Sequence, residues 1–122
     1  MDRNALPDFI TTTANSFDGY DVVQTYGVVR GIVVRSRSIF GTIGSRLQTL
    51  VGGNITLLED LCERTRAQAY ERARGHAVEL GANALVAIRY DATEVMDGVT
   101  EVLCYGTAVR IAPHLRRPES SS

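Results

Sequence analysis

A chain of 122 residues, 44% of them apolar, is long enough for one domain with a modest hydrophobic core. The formal net charge of −1 excludes a bulk electrostatic attraction to nucleic acid or to anionic lipid. All 13 basic residues are arginine, so chemistry that depends on lysine, such as a Schiff base or a P-loop, is excluded as well.

Apolar runs and cysteine usage indicate the compartment. The first residues lead into no apolar run, and the longest runs fall far short of the roughly 20 residues that span a bilayer. Cys62 and Cys104 lack the CxxC spacing of metal and redox motifs, so we expect free thiols in a reducing environment. We therefore expect a soluble, cytoplasmic protein without a nucleic-acid or membrane partner.

The first half of the chain contains two β-forming segments and a weak helix. Met1–Asp8 is typical of a flexible lead-in, and Phe9–Thr13 is rich in β-forming residues. Tyr20–Arg35 carries valine and isoleucine on both faces, which predicts a strand that is buried on each side. Apolar residues three and four positions apart predict a short helix over Ser38–Val51, which Gly52-Gly53 ends.

A long amphipathic helix is predicted over Thr56–Leu80. Thr56 and Glu59 fit a capping box at its start, and Gly81 is suited to end it. At about 100° per residue, the stripe expected to face a sheet consists of Leu58, Cys62, Thr65, Ala69, Ala73, His76 and Leu80. The small side chains of this stripe would allow the helix backbone to lie close to the sheet.

Two more strands and a hairpin follow this helix. Ala84–Tyr90 and Val102–Ile111 are predicted strands, and Asp97-Gly98 predicts a hairpin turn before the last of them. Val102, Cys104, Gly106 and Ala108 form the small side of the last strand, and its large side is formed by Leu103, Tyr105, Val109 and Ile111. We expect the small side to pack on the helix and residues 112–122 to form a disordered tail.

The predicted strands have more apolar faces than the predicted helices can cover. One long helix covers one face of a small sheet, so the other face needs a second molecule. The sequence therefore predicts an α+β subunit in which a two-layer core joins the sheet to one long helix plus one shorter helix. It also predicts that the subunit assembles with copies of itself.

Six short motifs, spaced over residues 9–111, carry a family resemblance. They are Thr11-Thr12, Tyr26-Gly27-Val28-Val29-Arg30-Gly31, Val51-Gly52-Gly53, Arg66 with Ala69, Leu80-Gly81-Ala82-Asn83-Ala84-Leu85-Val86, and Tyr105-Gly106-Thr107-Ala108-Val109. Together they resemble the YbjQ-like family of small bacterial and archaeal proteins. That family has no assigned activity and is often labelled a heavy-metal-binding domain.

The resemblance implies a dodecin-like subunit, with a curved antiparallel sheet wrapped against a helix, in a ring-shaped homo-oligomer of five copies. It implies no catalytic residue. The motif positions that it implies to be structural are Gly52, Gly53, Gly81, Ala82, Asn83, Gly106 and Thr107. Cys62 and Cys104 depart from the family, which more usually has an apolar residue and a small residue there. These two thiols therefore do not account for a metal function shared by the family.

Metal binding has three candidate ligands, Cys62, His76 and Cys104. Cys62 and His76 are 14 residues apart on the predicted helix, about 21 Å, so they cannot share one ion within a subunit. Cys104 would add one ligand to either of them, and two ligands do not close a zinc site. A transition metal on the axis of a ring would receive one ligand from each copy; otherwise both cysteines are small buried apolar residues.

Other charged groups have both a structural and a functional interpretation. The segment Arg35-Ser36-Arg37 either keeps a strand end soluble or holds a phosphate or carboxylate. Glu59 and Glu63 either work as an acid and a base or, as we expect, lie on a solvated flank of the helix or in an ion pair between subunits. His76 is expected in a core or an interface and is a candidate for pH-sensitive assembly, whereas His114 is expected to be solvated.

Three functions are compatible with the sequence. The first is a non-enzymatic structural or binding module that works as a closed homo-oligomer and needs no cofactor. The second is the binding of a heavy metal or a small ligand in the assembled ring. The third is an enzyme with its site between subunits, in which the residues to test are Arg35, Arg37, Glu59, Glu63 and His76.

Overall fold

The computed structural model describes residues 8–36 and 54–115, which contain four strands and one helix. Their bounds are β1 Ile10–Thr11, β2 Tyr20–Ser36, α1 Asn54–Leu80, β3 Ala84–Met96 and β4 Val99–Pro113. The strands form one sheet in the order β1-β3-β4-β2, and α1 packs on one face of it. The predicted α+β class is confirmed, whereas the predicted helix over Ser38–Val51 and Gly52-Gly53 lies outside the described residues.

The sheet is mixed, not purely antiparallel as expected. β2 and β3 pair antiparallel with β4, whereas β1 pairs parallel with β3, with Ile10 opposite Ala84. Parallel pairing is possible here because a long connection that includes α1 separates the two strands. Within the residues that the structure describes, no helix is both long and apolar enough to span a membrane.

The strands that follow the helix are longer than predicted. β3 and β4 continue to the hairpin at Asp97-Gly98, where Gly98 has a φ of 76°. At its other end β4 runs to Pro113, which lies opposite Tyr20, and the next backbone N–H, of His114, donates to the carbonyl of Gly19 at 2.8 Å. The predicted tail therefore begins too early, because the start of β2 provides partners as far as residue 114.

The buried side of α1 is a line of small residues. Its buried members are Thr65, Ala69, Ala73 and Ala77. A spacing of four residues turns this line by about 40° around the helix at each step, so the line follows the twist of the sheet beneath it. The predicted stripe ignored this twist, and its members Cys62, His76 and Leu80 are exposed.

The helix lies close to the sheet because Gly31 of β2 is directly beneath it. A Cβ atom at Gly31 would lie 2.0 Å from the carbonyl oxygen of Ala69 and 2.6 Å from the nitrogen of Ala73. The buried residues around this contact are Val29, Val33, Ala69, Ala73, Ala77, Ala82, Leu85, Ile88, Cys104 and Ala108. The prediction that the small side of β4 packs on the helix is confirmed.

The outer face of the sheet, opposite α1, is covered at one end by the N-terminal segment of the same chain. The buried residues there are Ala84, Val86, Val109 and Ile111, and the side chains packed over them are Ile10, Phe17 and Tyr20. The backbone of Thr12 fastens this segment, since its N–H donates to Leu85 and its carbonyl accepts from Ile88. The expectation that Val109 and Ile111 need a neighbouring molecule is wrong, because residues 9–20 fold back over them.

Asn83 fixes the return from α1 into the sheet at this end. Its Nδ2 donates to the carbonyl of Ile111 at 3.0 Å, and its Oδ1 accepts from the N–H of Ile111 at 2.8 Å. Gly81 ends the helix with a φ of 97°, and the N–H of Ala82 donates to the carbonyl of Ala77 at 3.0 Å. The helix end and the strand start are thus joined by a short, fully bonded turn.

The other end of the outer face is open within the described residues. Val28, Ile32 and Val34 of β2 are 69%, 36% and 53% exposed. Leu103 lies opposite Ile32 and Tyr105 lies two residues further along β4, and both are only half-buried. This apolar surface, which we call the open half, continues the outer face beyond the part that the N-terminal segment covers.

Candidate functional site

A cavity of about 140 Å³ lies between the first half of α1 and the hairpin end of the sheet. Its walls are formed by Arg35 of β2, Cys62, Thr65 and Arg66 of α1, Ala92 of β3, and Thr100 and Val102 of β4. The strand residues belong together because Arg35 is opposite Thr100 and Ala92 is opposite Val102. All of them lie on the side of the sheet that faces the helix. We call this space the helix–hairpin cavity.

Arg35 is held in a fixed position at this cavity. Its Nε donates to Oγ1 of Thr65 at 3.2 Å, and its Nη2 donates to Oε1 of Gln68. The hydroxyl of Thr65 in turn donates to the carbonyl of Leu61 at 2.8 Å. Because both acceptors of Arg35 are neutral, its side chain is oriented while its positive charge is retained.

Cys104 and Tyr90 form a hydrogen-bonded pair on the same face of the sheet, further from the hairpin. The Tyr90 hydroxyl bonds to the Cys104 sulfur. Partial burial of this side chain, which is 41% exposed, followed by the charge of Cys104, raises the pKa of Tyr90 to about 12. Burial also raises the pKa of the Cys104 thiol, and the bond from Tyr90 offsets only part of this effect. Cys104 is therefore protonated near neutral pH, the form in which a thiol neither binds metal well nor attacks.

The three candidate metal ligands are not brought together within the described part of the subunit. Cys62 is exposed on α1, Cys104 is buried in the sheet, and His76 is exposed near the other end of the helix. Across residues 8–36 and 54–115, no group of three histidine, cysteine, aspartate or glutamate side chains is arranged to hold an ion. A metal site in this subunit would need ligands from elsewhere.

The residues suggested for an enzyme do not converge either. Glu59 and Glu63 are exposed and line a shallow groove that shares Cys62 and Arg66 with the helix–hairpin cavity. His76 is exposed on the same helix, 13 residues beyond Glu63. The core alternative for it is therefore wrong, and the interface alternative stays a prediction. Arg35 lies on the sheet side of the helix, and Arg37 lies outside the described residues.

His114 has a partner that the sequence did not predict. Its Nδ1 lies 2.9 Å from a carboxylate oxygen of Asp21, and both side chains are more than half exposed. This pair follows from the pairing of β2 with β4, which places Asp21 opposite Ala112. It joins two strand ends at the surface and does not form part of a pocket.

Sequence reasoning missed Arg66 and Thr100 as neighbours of Arg35. A signal was present in β2, where the inward-facing series Val29, Gly31 and Val33 continues to Arg35. A charged residue at the end of an inward series requires a polar environment beneath the helix. The predicted stripe included Thr65 and Cys62, which line the cavity, but it did not include Arg66.

Comparison with known proteins assigns the chain to a family. A model of the YbjQ type, described as "Putative heavy-metal-binding", matches residues 9–112. The UPF0145 protein of Solibacter usitatus is 57% identical over 108 residues, covering 88% of this chain and 96% of that protein. The UPF0145 protein of Burkholderia multivorans is 57% identical over 114 residues, covering 93% of each chain.

A solved structure supports the fold alone. A protein of unknown function from Pediococcus pentosaceus, which belongs to the DUF74 family, matches with a TM-score of 0.53 at 20% identity. The match covers 84% of this chain and 96% of that one. The fold is thus that of a small α+β domain with one helix packed on a four-stranded mixed sheet. Within that class, this chain belongs to the YbjQ-like family of UPF0145 proteins, as the resemblance predicted.

Proposed function

We propose that this chain acts as a non-enzymatic structural or binding module that closes into a ring of identical subunits. The observation that carries the proposal is the open half of the outer face, where large apolar side chains of β2 are exposed. Exposed apolar surface of this kind is typical of an interaction site, and the exposed Arg30 lies on the same face between Val28 and Ile32. A second copy of the same chain has the same apolar side chains on its own open half and is therefore a suitable partner.

Two strand edges support a head-to-tail arrangement. In the described part of the chain, β2 pairs on one side only, with β4, along its 17 residues. β1 pairs with β3 only at Ala84 and Leu85, so the stretch Arg89–Met96 forms a second edge at the opposite side of the sheet. Unpaired edges are templates for strand addition, and joining unlike edges gives a ring when the rotation between subunits closes. The ring of five subunits that the family resemblance implies is one such solution.

The oligomeric state tests this proposal. We expect light scattering during size-exclusion chromatography at micromolar concentration to give a closed multiple of the subunit mass. Replacing two exposed valines of the open half, V28N together with V34N, should shift the protein toward the monomer. V78N is the matched control, because Val78 is similarly exposed, at 49%, on the helix. A monomeric wild type, or an equal response to V78N, would contradict the proposal.

Heavy-metal binding in the ring is the second candidate, and its support is the description of the matching family. Since no trio of ligands meets within the described residues, Cys62 or His76 would have to contribute from several copies, both being exposed. Elemental analysis of protein purified without an affinity tag tests it for zinc, copper and nickel. Metal retained by the wild type and lost in C62S or H76N supports this candidate. Failure of the wild type to retain or rebind metal rejects it.

A further inference from the structure

We propose that the helix–hairpin cavity binds a short aliphatic carboxylate, with Arg35 and Arg66 holding the carboxylate group. The described walls of the cavity come from a single subunit. The proposal therefore goes beyond the ring-forming function and does not depend on it.

The size of the cavity limits the ligand. Its volume is about 140 Å³. An apolar cavity of about 150 Å³ accommodates a molecule of the size of benzene, which has about six heavy atoms. A four-carbon carboxylate has the same number of heavy atoms, whereas a nucleotide or a sugar phosphate is several times larger. The cavity thus suits a small acid.

The walls of the cavity favour a ligand with an apolar part. Ala92 and Val102 of the sheet form its floor, and Thr65 and Thr100 add a methyl group each. An alkyl tail removes these surfaces from water, at about 25 cal/mol for each Å² of apolar surface buried. Inorganic phosphate would leave the same surfaces uncovered, so it fits the site poorly.

The charges at the cavity favour an anion. Arg35 and Arg66 approach it from the sheet and from the helix, and within the described residues neither forms an ion pair with a carboxylate. Arg66 and Cys62 also line a neighbouring groove, whose walls include Glu59 and Glu63. A guanidinium group binds a carboxylate through two parallel hydrogen bonds, which fixes its orientation as well as its charge. A ligand with one carboxylate would therefore supply the anionic partner that Arg35 and Arg66 lack within the described residues.

Cys62 provides a reporter of occupancy. Its side chain is exposed and lines the cavity, whereas the other cysteine of the chain, Cys104, is buried. A molecule bound between Arg35 and Arg66 would cover the Cys62 sulfur and slow its reaction with iodoacetamide. Cys104 serves as the internal reference, since its reaction reports unfolding and not ligand binding.

The experiment titrates the full chain with butanoate and follows both Cys62 alkylation and the NMR line width of the butanoate. We expect saturable protection of Cys62 by butanoate. Butanamide, which is neutral and of the same shape, and inorganic phosphate at equal ionic strength should not protect it. R66Q and R35Q should each raise the half-saturating concentration about tenfold, the effect of losing one charged hydrogen-bonding partner.

Matched variants decide between this proposal and its alternatives. R64Q removes a charge from the outer side of the same helix, outside the cavity, and should leave the half-saturating concentration unchanged. The V28N and V34N double variant should keep wild-type butanoate binding, so failure of ring formation and failure of ligand binding are separable. Equal protection by butanamide, the absence of saturation, or an equal effect of R64Q would overturn the proposal. Because Arg35 also bonds to Thr65 and Gln68, the exposed Arg66 gives the variant that least perturbs the fold.

Discussion

The two faces of the sheet are built from different side chains and are covered in different ways. On the inner face, small residues such as Gly31 and Cys104 lie beneath the alanines of α1, so a helix of the same chain fits closely. On the outer face the side chains are larger, and residues 9–20 cover only one end of it. A face of small residues thus fits a helix at short range. A face of large, exposed residues shows where more cover is needed.

The close contact on the inner face should respond most strongly to mutation. In G31A, the new Cβ would overlap the backbone of Ala69, which cannot move without displacing the helix. We expect the free energy of unfolding to fall by about 3 kcal/mol or more, measured by urea denaturation. G75A is the control, because a Cβ at Gly75 on α1 meets no atom within 4 Å. For G75A we expect the free energy of unfolding to rise by up to about 1 kcal/mol. Equal stability of G31A and wild type would show that the helix is not seated on β2.

The next effect compares the two ends of the outer face. I111A removes a side chain that is 1% exposed beneath the N-terminal segment, and should cost about 2–3 kcal/mol in urea denaturation. I32A makes the same change in the open half, where the side chain is 36% exposed, and should cost less than half as much in the monomeric V28N and V34N background. In the assembled wild type, I32A should lower the mass of the oligomer. Equal costs in the monomeric background would remove the distinction between the two ends.

The smallest effect concerns pH and the inner-face pair Tyr90 and Cys104. Burial raises the pKa of both groups, for Tyr90 from 10.0 to about 12 and for Cys104 upward from 9.0. In alkaline solution the unfolded chain therefore binds fewer protons than the folded one, so stability falls as pH rises above about 9. Urea denaturation at a series of alkaline pH values should show a shallower fall in the Y90F and C104A double variant. The matched control, C62A, removes an exposed thiol and should keep the wild-type slope; an unchanged slope in the double variant would contradict this assignment.

Much of the subunit could be predicted from the sequence, because its periodic patterns are strong. The long strand from Tyr20, the helix that ends at Leu80 and the hairpin at Asp97-Gly98 are all confirmed, with ends that shift by a few residues. The phase of the helix was wrong at His76 and Cys62. One face of a straight helix recurs every 3.6 residues, whereas the buried residues of α1 recur every four because they follow a twisted sheet. The twist is a property of the tertiary structure, so the helix sequence alone does not show it.

The candidate site was less predictable than the fold. Arg35 was selected as a possible anion ligand, but its neighbours Arg66 and Thr100 come from other elements and depend on register and helix phase. The cover of Ile111 by residues 9–20 was missed for a similar reason. A parallel pairing between β1 and β3 joins segments more than 70 residues apart, and no local pattern encodes it.

Native mass spectrometry of the intact protein at micromolar concentration shows whether other copies of the chain cover the open half of the outer face. If they do, we expect one dominant species whose mass is a fixed multiple of 13.3 kDa and does not change on dilution. A dominant species of 13.3 kDa, or an open-ended series that grows with concentration, would show that no closed assembly covers this face.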